Sequence, residues 1–108
     1  MNIDDIILPE KPLFLAPMED VTDSPFRQIC REKGADIVFT EFISSEALIR
    51  DSEIALHKMS YNESERPFGI QIFGGREEAM HGAAKVALNN NPDVVDINFG
   101  CPVYKVVN

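Results

Sequence analysis

Residues 68–102 read FGIQIFGGREEAMHGAAKVALNNNPDVVDINFGCP, and this stretch decides the fold. Phe68 to Phe73 is a short apolar run of strand length, interrupted only by Gln71. Gly74-Gly75 turns the chain into a helix expected from about Arg76 to Asn90. Ala79, Met80, Ala83, Ala84, Ala87 and Leu88 give that helix one packed face. Pro92 stops it, and Val94 to Asn98 forms a second strand before Phe99-Gly100-Cys101-Pro102. A strand, a helix and a strand in this order imply a crossover connection and parallel pairing.

The same alternation extends toward the N-terminus. Leu13 to Ala16 is predicted as a first strand, entered after Pro9 and Pro12. Asp23-Ser24-Pro25 starts a helix, with Asp23 as its cap and Pro25 in its first turn. Phe26, Ile29 and Cys30 fall on one face of it, which assigns Cys30 to the core. Gly34 ends it in the C′ role. Ile37 to Thr40 reads as a strand covered on both faces. Ser44 or Ser45 caps a shorter helix through Glu46 to Arg50, and Tyr61 to Pro67 reads as a loop. The order β-α-β-α-β-α-β belongs to the α/β class. A parallel sheet needs both faces covered, and no helix follows the fourth strand. The expectation is therefore half of a larger domain, with residues 1–108 forming its N-terminal part, truncated after the fourth strand.

Composition narrows the setting. Of 108 residues, 44% are hydrophobic and 26% charged, as in an ordinary globular domain. The longest apolar runs are far too short for a membrane span. The opening MNIDDIILPE lacks a basic region and a cleavage pattern, so no signal peptide is expected. Two cysteines make no disulfide framework, and a cytoplasmic, reducing compartment is expected. Ten basic against eighteen acidic residues give a net charge of −8, which opposes direct binding to a phosphate backbone by this stretch.

Active sites of α/β sheets lie at the C-terminal ends of the strands. Here those ends carry Pro17-Met18-Glu19-Asp20, Thr40-Glu41, Gln71 with Gly74-Gly75, and Asn98-Phe99-Gly100-Cys101. Gly100 and Pro102 hold Cys101 on a stiff turn just past a strand. Position alone leaves Cys101 open between a reactive thiol and a small buried hydrophobe. Gln71 sits between Ile70 and Ile72 and must find a hydrogen-bond partner, in a ligand or in the protein. Asn98 poses the same question, and Asp96 is expected on the face opposite its chain neighbours. His57 and His81 have no metal-ligand spacing and read as surface or structural residues; no metal site is expected. Glu77-Glu78 suits a helix N-terminus. Gly74-Gly75 lacks the patterns of a phosphate loop and reads as a strand-to-helix turn.

These motifs together resemble the tRNA-dihydrouridine synthases. Ala16-Pro17-Met18 with Val21-Thr22-Asp23-Ser24-Pro25-Phe26-Arg27 is similar to their opening signature. Thr40-Glu41-Phe42 and Gln71-Ile72-Phe73-Gly74 resemble their second- and third-strand motifs. Asp96-Ile97-Asn98-Phe99-Gly100-Cys101-Pro102, continued by Lys105-Val106-Val107, resembles their active-site segment, most like the bacterial B-type subgroup. The resemblance implies an FMN-binding (βα)₈ TIM barrel, reduced by NADPH, followed by a helical domain. It implies that Pro17, Met18 and Glu19 hold the flavin ring, largely through backbone atoms, that Gln71 contacts the flavin, that Asn98 lies near the uracil, and that Cys101 is the catalytic acid. Relatives more often carry small residues where Glu19-Asp20 stand. The implied reaction reduces uridine in tRNA to 5,6-dihydrouridine, with hydride passing from FMN to C6 and Cys101 protonating C5. A thiol with an unperturbed pKa of about 8.5 stays mostly protonated at neutral pH and suits that role. The target base has to leave its stack to reach the rim.

Further family parts, including a lysine, a histidine, phosphate-binding loops and most of the tRNA-binding surface, are expected outside these residues. Two other readings remain: a different FMN barrel reductase, such as one like dihydroorotate dehydrogenase, or a fragment without catalysis of its own. Four strands do not close a barrel, so the 108-residue chain alone is expected to be inactive and to self-associate through open sheet edges.

Overall fold

The computed structural model describes residues 2–100. A short antiparallel hairpin, β1 (Asn2–Ile3) and β2 (Ile6–Ile7), leads the chain. Then follow α1 (Ser24–Glu32), β3 (Val38–Phe39), β4 (Ile43–Ser44), α2 (Ser45–Ile49), α3 (Glu53–Lys58), a 3₁₀ turn (Glu63–Glu65), β5 (Phe68–Phe73), α4 (Glu77–Asn89) and β6 (Val94–Ile97). The central strand β5 pairs in parallel with β3 and β4 on one edge and with β6 on the other. This is the α/β alternation expected of a partial (βα)₈ barrel.

The expected first strand, Leu13 to Ala16, is only a single parallel bridge, Phe14 to Ile37. Leu15 N–H donates to the Ile37 carbonyl at 2.9 Å and Asp36 N–H to that of Leu13 at 2.7 Å. The segment runs along the sheet in the expected place. Pro12 and Pro17 bracket it, and neither offers an N–H to extend a ladder.

The second strand is longer than expected and interrupted. Val38 pairs with Phe68 and Phe39 with Gly69, whereas Ile43 pairs with Ile72. Five steps along one strand oppose four along the other, so one extra residue is absorbed between β3 and β4, as in a bulge. At the break, Gln71 N–H donates to Thr40 Oγ1 at 3.1 Å, where a regular ladder would use a backbone carbonyl. Thr40 is wholly buried.

Alternation along β5 sorts the core. Phe68, Ile70 and Ile72 face the helices and pack with Val38, Ile43, Leu48, Ala55, Met59, Ala83 and Ala87. The opposite face carries Gly69 beside Phe39, Ile37 and Leu8, with Ile6 and Val94 against them. A Cβ on Gly69 would stand 2.4 Å from Phe39 Cδ1, so a side chain there would displace the ring. The leading hairpin thus delivers Leu8 as a cover for the apolar part of this inner face.

Caps follow the sequence. Asp23 accepts from Phe26 N–H at 3.0 Å, and Gly34 takes φ +113° after α1. Ser44 caps α2 by accepting from Ala47 N–H. The buried faces differ in two places. On α1 the buried residue is Arg27, while Phe26 and Cys30 are half-buried and Ile29 is 55% exposed. The reason is an ion pair rather than an apolar stripe. Arg27 Nε donates to Glu65 Oε1 at 2.5 Å, Nη1 to the Thr22 carbonyl and Nη2 to that of Ser60. On α4 the packed face is centred on Ala79, Ala83 and Ala87; Met80 and Ala84 lie at its margin, and Leu88 is 62% exposed. Sequence patterning also passed over the hairpin, β4, α3 and the 3₁₀ turn, all too short for a periodic signal.

Candidate functional site

Parallel strands in register bring their C-terminal ends to one rim, and the polar residues of the inner face collect there. Gln71 lies two residues beyond Gly69 on the same face, in register with Asp96 across to β6. Asp96 is therefore opposite to Val95, which packs toward the helices, as alternation requires. Gln71 is 7% exposed, and both ends of its amide are engaged by protein. Nε2 donates to Asp96 Oδ2 at 2.7 Å, and Oε1 accepts from Asn98 Nδ2 at 3.3 Å. Asn98 in turn accepts the Gly100 N–H on Oδ1 at 2.9 Å. Its own N–H continues the β5–β6 ladder by donating to the Ile72 carbonyl. Gln71 and Asn98, singled out separately in the sequence, form one network. Cys101 lies outside the described residues.

The loop after the first sheet segment forms the neighbouring part of the rim. Val21 and Thr22 N–H both donate to the Met18 carbonyl, and Met18 N–H donates to Thr22 Oγ1 at 3.1 Å. Asp20 takes φ +61°, which turns the loop. Thr22 is wholly buried, and its carbonyl is held by Arg27. The shape of Pro17-Met18-Glu19 is thus set from behind by the Arg27–Glu65 pair. Ser24 Oγ and Asn62 N–H complete that pair by donating to Glu65 Oε2.

The Glu19 carboxylate is committed to Lys58 Nζ at 2.8 Å. Carboxylate oxygens of Glu19, Asp20 and Glu41 come within 4.8 Å of one another. Glu19, Phe42, Ser44, Lys58 and Phe73 line a pocket of about 280 Å³, floored by the edge-to-face pair Phe42 and Phe73 with ring centroids 4.9 Å apart. Lys58 was invisible to sequence reasoning because its partner is 39 residues away. His57 and His81 are exposed. Away from the inner face, Arg76 at the start of α4 makes a two-pronged contact with Glu46 of α2. That hydrogen bonding holds the Glu46 carboxyl below its ordinary range and raises the Arg76 guanidinium.

The donor set suits a planar ligand with alternating donors and acceptors. An amide has two N–H donors and two acceptor lone pairs. Gln71 spends one of each on Asp96 and Asn98, which leaves one of each by valence.

Residues 14–108 match the family model described as dihydrouridine synthase (Dus). The chain is 40% identical over 96 residues to tRNA-dihydrouridine synthase B of Pseudomonas syringae pv. tomato, an alignment covering 89% of this chain and 28% of that protein. It is 43% identical over 96 residues to a probable tRNA-dihydrouridine synthase of Aquifex aeolicus, covering 88% and 30%. To tRNA-dihydrouridine synthase B of Pasteurella multocida it is 34% identical over 94 residues, covering 87% and 28%. The chain therefore spans less than a third of the length of these curated relatives.

Proposed function

This chain belongs to the dihydrouridine synthase family, and from that premise we propose that the protein containing it reduces uridine in tRNA to 5,6-dihydrouridine. The observation that carries the reading is the rim network of Gln71, Asp96 and Asn98. It places an amide of mixed donor and acceptor character at the strand ends, two and three residues before Gly100 and Cys101. FMN, reduced by NADPH, supplies the hydride for uracil C6 when bound. Pro17, Met18 and Glu19 hold the flavin, largely through backbone atoms, and the Glu19 carboxylate stays with Lys58. Gln71 contacts the flavin with its remaining donor and acceptor. Asn98 faces the uracil. Cys101 delivers the proton to C5, and its thiolate regains a proton from water.

The polar rim sits above an apolar floor of Phe39, Ile37 and Leu8, which keeps water from the inner face below it. With a net charge of −8, these residues leave most of the phosphate contact to other parts of the protein. A tRNA substrate goes with a cytoplasmic location. Among the described residues no helix is long and apolar enough to cross a membrane.

The test is direct. Full-length protein is incubated with NADPH and tRNA from a strain lacking its own dihydrouridine synthases, and nucleosides are quantified by mass spectrometry. The expected result is dihydrouridine formation by a yellow, flavin-carrying protein. Flavin-dependent NADPH oxidation without dihydrouridine would point instead to a reductase of small molecules.

The isolated chain is proposed to be inactive and to behave differently. Leu88 and Ile97 are 62% and 45% exposed beside the outer edge of β6, where Met80, Ala84 and Ile97 line an open groove. An apolar margin along a strand edge recruits other chains. Sedimentation velocity of residues 1–108 alone should show dimers or larger species. A monodisperse monomer carrying stoichiometric FMN would overturn this.

A further inference from the structure

Three hydrogen bonds run in one direction along the rim, from Asp96 through Gln71 and Asn98 to the backbone of Gly100. They measure 2.7, 3.3 and 2.9 Å. The two ends of this chain dictate its sense. A carboxylate only accepts and a backbone N–H only donates. Each amide between them has one donating and one accepting end. With both termini fixed, a single orientation of Gln71 and a single orientation of Asn98 make all three bonds. The Asp96 carboxylate therefore decides which way Gln71 faces, and Gln71 decides which way Asn98 faces.

This restraint matters because packing supplies little at the far end. Phe99 is 92% exposed, and among the described residues no atom lies within 4 Å of where a Cβ on Gly100 would be. What holds the Gly100 amide is the Asn98 side chain.

We propose that Asp96 is a positioning residue, whose carboxylate orients Gln71 and Asn98 so that Asn98 fixes the Gly100 amide leading into Cys101. The proposal deepens the functional reading above and rests on it where turnover is concerned. In this proposal Asp96 acts through two amides.

The experiment exchanges the polarity of the chain in the full-length protein. Asn98→Asp alone puts acceptor-only groups on both sides of the Gln71 amide, so one bond has to be lost. Adding Asp96→Asn turns Gln71 over and restores every bond, because the group introduced at 98 still accepts from Gly100. The readout is the iodoacetamide alkylation rate of the peptide carrying Cys101, followed by mass spectrometry. Asn98→Asp should change that rate about threefold or more, and the double exchange, which keeps the same carboxylate at position 98, should move it back toward the wild-type value. Asp96→Ala reads the same property without adding a charge. It should lower kcat for flavin-saturated enzyme about tenfold while leaving KM for tRNA unchanged.

A double exchange no closer to wild type than Asn98→Asp overturns the proposal. So does an Asp96→Ala protein with wild-type kcat and wild-type alkylation, which decides the matter if Asn98→Asp does not fold. Wild-type protein that forms no dihydrouridine overturns the functional reading instead, and the alkylation rates then decide the positioning role by themselves.

Discussion

Cys101→Ala in the full-length protein should leave flavin content and NADPH oxidation intact and lower uridine reduction by about 10²- to 10⁴-fold, the range for a positioned general acid. Hydride addition at C6 breaks the C5–C6 double bond and leaves an electron pair at C5 conjugated with the C4 carbonyl. That pair has to be protonated for the reduction to be completed. The thiol is the proposed proton source, three residues after Asn98 in the sequence, and Asn98 holds the Gly100 N–H. Single-turnover measurement separates the two halves of the reaction. Flavin reduction by NADPH should proceed at the wild-type rate, and reoxidation by tRNA should be slow. Undiminished reoxidation would remove Cys101 from the mechanism. Cys30→Ala is the control: Cys30 is a half-buried free thiol on α1, and its loss should leave both halves unchanged.

Glu65→Ala should destabilise the fold by about 3–5 kcal/mol, the cost of leaving a buried charge without its partner. Arg27 is 2% exposed and Glu65 fully buried, and the guanidinium packs over Phe68 at 5.2 Å. Without the carboxylate, Arg27 keeps only carbonyl partners at Thr22 and Ser60, and Ser24 Oγ and Asn62 N–H lose their acceptor. Replacing both partners by apolar residues, Arg27→Met with Glu65→Leu, should cost less than Glu65→Ala alone, because no charge is then stranded. Urea unfolding of the three full-length proteins reads the order directly. A loss below about 1 kcal/mol for Glu65→Ala would mean that water reaches the guanidinium and the pair behaves as a surface one. The double variant should still bind flavin more weakly, since Arg27 also holds the Thr22 carbonyl behind the Met18 loop.

Much of this was legible in the chain. The run from Phe68 to Phe73 appears as β5 with the same limits, and the expected helix from Arg76 to Asn90 appears as α4, one residue shorter at each end. Asp23, Ser44 and Gly34 cap helices as their chemistry requires. Periods, caps and breakers are local properties, set within one or two turns of the residue that carries them. The motifs at four strand ends were enough to indicate the family, since each retains its residue types in order.

What the sequence could not determine depends on partners distant along the chain. Only Glu65, 38 residues later, explains why Arg27 is the buried residue of α1. The split of the second strand at Thr40 depends on the amide of Gln71, 31 residues on. The commitment of Glu19 to Lys58 depends on where α3 comes to rest. Gln71 and Asn98 were each conspicuous as polar residues in apolar strands, but their bond to one another, and the role of Asp96 in orienting both, required the register of β5 against β6. Local rules determine which backbone conformation a segment adopts. Which charge faces which, and which way an amide turns, is decided by the groups that folding brings within hydrogen-bonding distance, and no spacing in the sequence encodes that distance.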